Sequence, residues 1–321
     1  MNPLRPVILA AAGSDRMKSA VTRVPATAAV VRRFVAGETR AELSPVVREL
    51  LASGRMVSVD YLGENTTERS MANAAVGEYF LLIDDLAEVE HAVPDPRSSR
   101  ETPRVEVSVK LSALGQSLGQ DGPAIAAENL HKLCAKAVEQ RVWVTVDAED
   151  HTTTSDTLLA VQQARTEFPW LAVALQTYLR EAEGRARDLA ATGTRIRLCK
   201  GAYQEPRTVA YQRRGEVDTS YLRCLEVLLR GGWHPMIASH DPAMIDAALT
   251  LATENNRTPA DFEFQMLYGI RDGEQRRLVS EGHALRVYIP YGTQWYGYLM
   301  RRLAERPANL GFFLRALTDR G

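Results

Sequence analysis

Two groups of residues in this chain have the types and spacing to do chemistry. Arg197-Leu198-Cys199-Lys200-Gly201 sets two cations beside a glycine at the end of an apolar run. Arg301 and Arg302 follow Tyr298 by three and four residues and precede Glu305, so all four share one face of a helix. A rigid guanidinium fork matches a carboxylate. The same face also fits a solvated surface with ordinary Arg–Glu pairing, although the aromatic lead-in of Tyr288, Tyr291, Trp295, Tyr296 and Tyr298 favours a site. Arg197 and Lys200 suit an anion such as a phosphate, the electronics of a bound ring, or a structural salt bridge, and spacing leaves these open. Gly201 lets a backbone approach a ligand closely.

Other chemistries lack their residues. The six histidines are dispersed, with His151 and His283 outside any ligand spacing, so no metal site is expected. Gly-x-Ser-x-Gly is absent, which removes the usual hydrolase signal. Basic residues number 39 and acidic residues 40, a balance that argues against a nucleic-acid partner. Cys134, Cys199 and Cys224 are odd in number and scattered, pointing to a reduced, cytoplasmic setting and no disulfide framework. No apolar run approaches the ~20 residues of a membrane span. The short apolar stretch 6–12 lacks the basic start and cleavage site of a signal peptide. What is left suits an organic cofactor and an anionic small molecule better than it suits the activation of water.

The elements that must position these residues are an alternation of strands and helices. Strands are expected at Met56–Tyr61, Val105–Leu111, Val142–Asp147, Leu171–Tyr178, Arg195–Lys200, Pro235–His240, Phe262–Leu267 and Leu285–Pro290. Helices fit at Glu128–Gln140, Ser155–Phe168, Arg180–Thr192, Ser220–Arg230, Ala243–Glu254, Glu274–Glu281 and Tyr296–Arg306. A chain of 321 residues is long enough for two domains of ~150 residues or for one (β/α)8 barrel of ~250 residues with an extension. Strand–helix repetition implies parallel strands and right-handed crossovers. Eight such units favour the barrel, and the absence of Gly-x-Gly-x-x-Gly weakens a doubly wound sheet.

Side-chain parity supports the barrel. Val105, Val107, Val109 and Leu111 share one face, with Glu106, Ser108 and Lys110 on the other; Trp143, Thr145 and Asp147 oppose Val142, Val144 and Val146; Arg286 and Tyr288 oppose Leu285, Val287 and Ile289. The polar face then points into the barrel. Asp60, Lys110, Asp147, Gln176, His240 and Leu267 converge near strand ends, where barrel enzymes carry their chemistry. Residues 1–54 form a helical N-terminal extension and 55–321 the barrel. In the extension, 20–35 is helical with a boundary at Pro25, and a second helix over 46–52 takes Ser44 as N-cap, Pro45 as its first residue and Gly54 as its stop.

These residues carry a family resemblance. Val-Ser-Val-Lys-Leu-Ser-Ala at 107–113, Val-Asp-Ala-Glu at 146–149, Arg-Leu-Cys-Lys-Gly-Ala-Tyr at 197–203, Phe-Gln-Met-Leu-Tyr-Gly at 264–269, and Arg-Val-Tyr-Ile-Pro-Tyr-Gly with Tyr-Leu-Met-Arg-Arg-Leu-Ala-Glu-Arg-Pro-Ala-Asn between 286 and 309 occur in order from about Met56 onward. The chain resembles the monofunctional bacterial proline dehydrogenases. The resemblance implies a distorted (βα)8 barrel of the α/β class, with its last helix across the mouth and FAD at the C-terminal ends of the strands. It implies oxidation of L-proline to Δ1-pyrroline-5-carboxylate, with electrons passed to a quinone. Residue by residue, it assigns Arg301 and Arg302 to the proline carboxylate, with Lys110 near it. Tyr203, Leu267, Tyr288 and Tyr298 wall the ring, and Asp147 supports the geometry. It sets Arg197 near the flavin N5 and Gln176 at the isoalloxazine. The backbone around Cys199, Lys200 and Gly201, the pair Ser239-His240, and Glu305 near the ribityl chain complete the cofactor contacts.

Gln204 departs from relatives that carry tryptophan there, and Cys199 is often valine. Tyr298 favours proline over 4-hydroxyproline by crowding a C4 hydroxyl. A pyrroline-5-carboxylate dehydrogenase is an expected partner. Leu310-Gly311-Phe312-Phe313-Leu314 suits either peripheral contact with the inner face of the cell membrane or, as is commoner for such a stretch, packing against its own barrel, and the N-terminus is an equal candidate for the membrane contact.

Overall fold

The computed structural model describes residues 31–64, 66–95, 102–231 and 233–305, with the side chains of 301–305 outside that description. Eight parallel strands close into a barrel in chain order: β1 (Met56–Tyr61), β2 (Val105–Val109), β3 (Trp143–Val146), β4 (Ala172–Gln176), β5 (Arg195–Cys199), β6 (Met236–Ala238), β7 (Glu263–Leu267) and β8 (Ala284–Tyr291). The barrel closes through β1 and β8, where Ser58 stands beside Tyr288 and Asp60 beside Pro290. The strand registers seat the expected faces. Val57, Val59, Val105, Val107, Val144, Val146, Val287 and Ile289 are buried in the layer beneath the helices, and the polar positions turn inward.

Helix α1 (Arg40–Ala52) precedes β1, and α2 (Arg69–Ala92) follows it. Then come α3 (Gly122–Gln140), α4 (Thr154–Arg165), α5 (Ala182–Ala191), α6 (Arg214–Arg230), α7 (Pro242–Glu254), α8 (Asp272–Ser280) and α9 (Trp295–Glu305). The 24-residue α2 occupies a stretch for which the sequence suggested no element. Its N-cap Glu68 makes no side-chain cap bond, so the usual start signal is missing. Its buried Ala72, Val76, Tyr79, Ile83 and Leu86 nevertheless recur at helical spacing. Among the described residues no helix is long and apolar enough to cross a membrane.

The start of α1 differs from expectation. Thr39, not Ser44, is the N-cap, and it forms a capping box with Glu42; Pro45 lies inside the helix. The reciprocal Thr39–Glu42 bonds satisfy two end donors. Pro45 costs one internal hydrogen bond, because it has no N–H for the fourth carbonyl back. Leu43, Val47, Leu50 and Leu51 are buried in the same core as the barrel. Residues 31–34 are helical; the expected helix over 20–30 and the segment 310–314 lie outside the described residues.

The incoming chain is also tied to the outgoing end of β8. Ala36 N–H donates to Pro290 O at 3.0 Å, Gly292 N–H to Gly37 O at 3.0 Å, and Trp295 Nε1–H to Glu38 Oε1 at 2.7 Å. The last of these pins the first residue of α9.

Candidate active site at the barrel mouth

The barrel interior is filled by a charged lattice where branched apolar residues are the usual filling. At its floor Arg286 and Glu263 are fully buried. Arg286 donates to Glu263 at 2.8 and 3.2 Å, to Val57 O at 3.0 Å and to Pro103 O at 3.2 Å. Burial alone would push the Glu263 carboxyl up, but Arg286 holds it well below the usual range. Beside them, Arg195 stacks on the Trp143 ring at 3.7 Å, and burial lowers its guanidinium to about 10.

One level higher, Arg197 from β5 joins five inward positions. Nε donates to Gln265 at 2.6 Å, Nη1 to Ser108 at 2.7 Å and to Asp147, and Nη2 to Ser58 at 2.9 Å and Glu106 at 2.8 Å. A guanidinium has five N–H groups, and all five are used. Arg197 lines the mouth, yet it has no donor left for a ligand and acts there through its charge. Of the sequence readings of this arginine, the structure shows the structural ion pair, and the same side chain is also part of the pocket wall.

The mouth is a hollow of about 410 Å³ at the C-terminal ends of the strands. Its walls include Lys110, Asp147, Gln176, Arg197, Cys199, Lys200, Gly201, Tyr203, Ser239, His240, Leu267, Tyr288 and Tyr298. The strand ends thus bring together thirteen of the sixteen positions singled out in the sequence. For Arg301, Arg302 and Glu305 the described backbone continues α9 directly from Tyr298. A second hollow of about 630 Å³, between α1 and α2, shares no lining residue with the mouth.

On one side of the mouth Lys110 Nζ lies 2.7 Å from Asp60 and 3.6 Å from Asp147, and Tyr288 donates to Asp147 Oδ2 at 2.8 Å. Burial opposes the charge on Lys110, but the two carboxylates more than offset it and hold its pKa above the ordinary ammonium value. Burial also opposes charge on Asp147, yet Arg197 and Lys110 keep it below the usual carboxylate range. Burial pushes the Tyr288 phenol well up, and Asp147 and Asp60 push it further. The side is therefore a fixed cation between carboxylates, under a protonated phenol.

The opposite side is built for close approach and for hydrogen bonding. Gly201 has φ +110°, and a Cβ there would meet the Tyr178 ring at 2.5 Å. The glycine is thus required by a tyrosine packed behind the loop, a reason the sequence did not suggest. Tyr178 and Glu205 brace the same loop from below, with Glu205 bonded to His151. Lys200 is paired with Asp218 and with Asp241 at 3.0 Å. His240 Nε2 accepts the Leu267 N–H at 2.8 Å, which assigns the proton of a neutral ring to Nδ1. Gln176 is buried, and its Oε1 has no partner among the described residues. An orphaned amide oxygen aimed into a hollow asks for a donor from a ligand.

Asp60 entered the sequence analysis only as a polar residue near a strand end; in the structure it is the principal partner of Lys110. Its place as the last inward position of β1 was the available signal. Glu149 is a second late addition. It is buried, its carboxyl is pushed up by that burial, and it accepts from the Ser112 N–H at 3.1 Å, tying down the turn that follows Lys110.

The family model for proline dehydrogenase matches residues 44–315. Proline dehydrogenase 2 of Bacillus subtilis (strain 168) is 36% identical over 276 residues, covering 86% of each chain. The proline dehydrogenase of Deinococcus radiodurans is 34% identical over 290 residues, covering 90% of each chain. The crystal structure of proline utilization A from Bdellovibrio bacteriovorus, inactivated by N-propargylglycine, superposes with a TM-score of 0.79 at 27% identity. That match covers 86% of this chain and 32% of the other, so this chain spans about a third of that protein.

Proposed function

The chain belongs to the proline dehydrogenase family, and on that premise we propose that it oxidises L-proline to Δ1-pyrroline-5-carboxylate with FAD held in the barrel mouth. The observation that carries this reading is the pairing, across one hollow, of the Lys110–Asp147–Tyr288 cluster with the orphaned Gln176 amide oxygen. The mouth residues fit a flavin. Gln176 offers hydrogen-bonding capacity to a ring edge, and the loop at Cys199, Lys200 and Gly201 lets a large planar group lie close. Ser239, His240 and Glu305 extend the contacts along the cofactor. Side chains cannot accept a hydride, and bound FAD supplies that acceptor.

This chain's own residues do the rest. Arg301 and Arg302 bind the carboxylate, and Lys110 adds its fixed charge near them. Tyr203, Leu267, Tyr288 and Tyr298 hold the pyrrolidine ring, which turns a bimolecular encounter into a positioned one. Asp147 orients Tyr288 and Arg197 together. Arg197 favours negative charge that develops above it, acting through a low-dielectric interior. The ring nitrogen reacts as the neutral amine, because its lone pair must push the C5 hydride out. Tyr298, buried at the mouth, crowds a C4 hydroxyl and favours proline over 4-hydroxyproline. Electrons then pass to a quinone, with membrane contact through 310–314 or the N-terminus. The product is handed to a pyrroline-5-carboxylate dehydrogenase, and the setting is cytoplasmic. The barrel from residue 55 onward carries the chemistry, with 1–54 as its extension.

The test is a visible spectrum of the purified protein before and after anaerobic L-proline. A yellow protein that bleaches is the expected result. A yellow protein that proline leaves unchanged rejects the substrate, and one that stays colourless with added FAD rejects the cofactor.

A further inference from the structure

The neutral amine required above raises the question of where its proton goes. The mouth holds several titratable groups, and most are unsuited to accept it. Lys110 already carries its proton, held there by two carboxylates. Asp147 is bonded to Arg197, Ser108 and Tyr288, so its charge is well supported and it is a weak base. Tyr288 keeps its own proton, and the acceptor nitrogen of His240 is taken by the Leu267 N–H. Glu64 stands on the partly exposed rim.

Asp60 differs from all of these. It is 1% exposed, its Oδ2 receives a bond from Lys110 Nζ at 2.7 Å, the Tyr288 hydroxyl gives it only minor further support, and its Oδ1 has no hydrogen-bond partner among the described residues. A buried carboxylate with so little support gains by taking a proton.

We propose that Asp60 is the proton acceptor for the substrate amine, which it reaches through the Lys110 ammonium. The inference rests on the proline dehydrogenase reading above. One Nζ–H bond of Lys110 breaks toward Asp60 Oδ2, and the N–H bond of the prolinium breaks to restore it. Lys110 ends with the three N–H groups it began with, Asp60 ends as a neutral acid, and the ring nitrogen ends with a free lone pair. No oxidant takes part in this step. The cation on Lys110 helps by disfavouring a second positive charge beside it. Burial, reinforced by Asp147 and only partly offset by Lys110 and Tyr288, pushes the Asp60 carboxyl up to about 6. The groups that face Asp60 are Lys110 from the end of β2, Asp147 from β3, Tyr288 from β8 and Tyr79 from α2, with Glu64 acting on Lys110 from the rim.

The experiment uses the FAD-loaded protein with its flavin reduced beforehand by dithionite, so that proline binds without turnover. Calorimetric titration at about pH 7.5 in two buffers of different ionisation heat counts the protons exchanged. The unaltered protein is expected to bind proline with almost no proton released; release of about one proton per proline would overturn the proposal. This count needs no variant, so it stands even if Asp60→Asn fails to fold. With Asp60→Asn, proline-driven flavin bleaching is expected to fall about 100-fold near pH 7, within the usual range for a lost general base, and to recover toward the unaltered rate near pH 10. Asp60→Glu should restore the unaltered pH profile. A uniform loss at every pH would assign Asp60 a purely structural role, and a shifted profile in Glu64→Gln alone would move the acceptor to the rim. Failure of proline to bind or bleach the unaltered protein would instead reject the family reading on which the inference stands.

Discussion

Two buried cations on the inner wall of this barrel behave in opposite ways. Arg286, at the floor, has two carboxylate oxygens and several carbonyls around one guanidinium. Lys110, at the mouth, leans on Asp60, a carboxylate that is half unpartnered. Both charges are removed from water, and both sites pay the desolvation that this implies. Around Arg286 the floor offsets it with carboxylate and carbonyl acceptors for every guanidinium nitrogen. The mouth leaves capacity open on Asp60 and Gln176, and that open capacity is what a ligand can complete. The same class of interaction therefore holds the fold at one end and prepares chemistry at the other.

The largest expected effect breaks the floor. Arg286→Met should destabilise the protein by about 3–5 kcal/mol in urea unfolding, because Glu263 is left buried without its main cationic partner. The pH dependence has a definite sign. The folded pKa of Glu263 is depressed, so the stability it contributes is full above its unfolded value of about 4.3 and is lost as pH falls through the folded value. The gap between the unaltered protein and the variant should accordingly narrow below about pH 4.

An intermediate effect tests the level that joins the two ends. Arg197→Lys keeps the charge but cannot serve five acceptors, and should cost about 2 kcal/mol of stability, on the scale of one hydrogen bond to a charged group. Its effect on proline-driven bleaching should be larger, about 100-fold, since Asp147 and Tyr288 lose their common anchor. Equal losses in stability and turnover would show that floor and mouth are not separable. The smallest effect lies outside the barrel. Glu38→Ala removes the acceptor of Trp295 and should raise the proline KM about threefold with kcat nearly unchanged, with less than about 1 kcal/mol lost from stability.

Much of this was legible from residue order. Alternation in 105–111 and 142–147 separated the outer valines from Glu106, Ser108, Lys110 and Asp147, because a strand has period two and a barrel has only an inside and an outside. The strand ends likewise identified Gln176 and His240. What could not be read was pairing across strands. Nothing in the spacing says that Arg197 meets Gln265, Ser58 and Glu106, since those contacts depend on barrel closure. The reason for Gly201 was hidden for a similar cause: the constraint comes from Tyr178, a residue of the preceding strand–helix unit. The capping box at Thr39–Glu42 was in plain view, but Ser44-Pro45 offered a competing start signal five residues later.

The closure of β8 on β1 has a consequence for how the chain comes to be folded at all. Arg286 donates to Val57 O across a sequence separation of 229 residues. During synthesis, Glu263 leaves the ribosome before Arg286, the arginine that neutralises it. A nascent chain that ends before β8 holds Glu263 without its principal cationic partner, and so keeps that carboxylate open to water. Contacts this distant in sequence fold slowly, because the loop between them must be closed before they return anything. The ionic floor thus acts as a checkpoint on length: the barrel cannot shut around its interior until its last strand has been made.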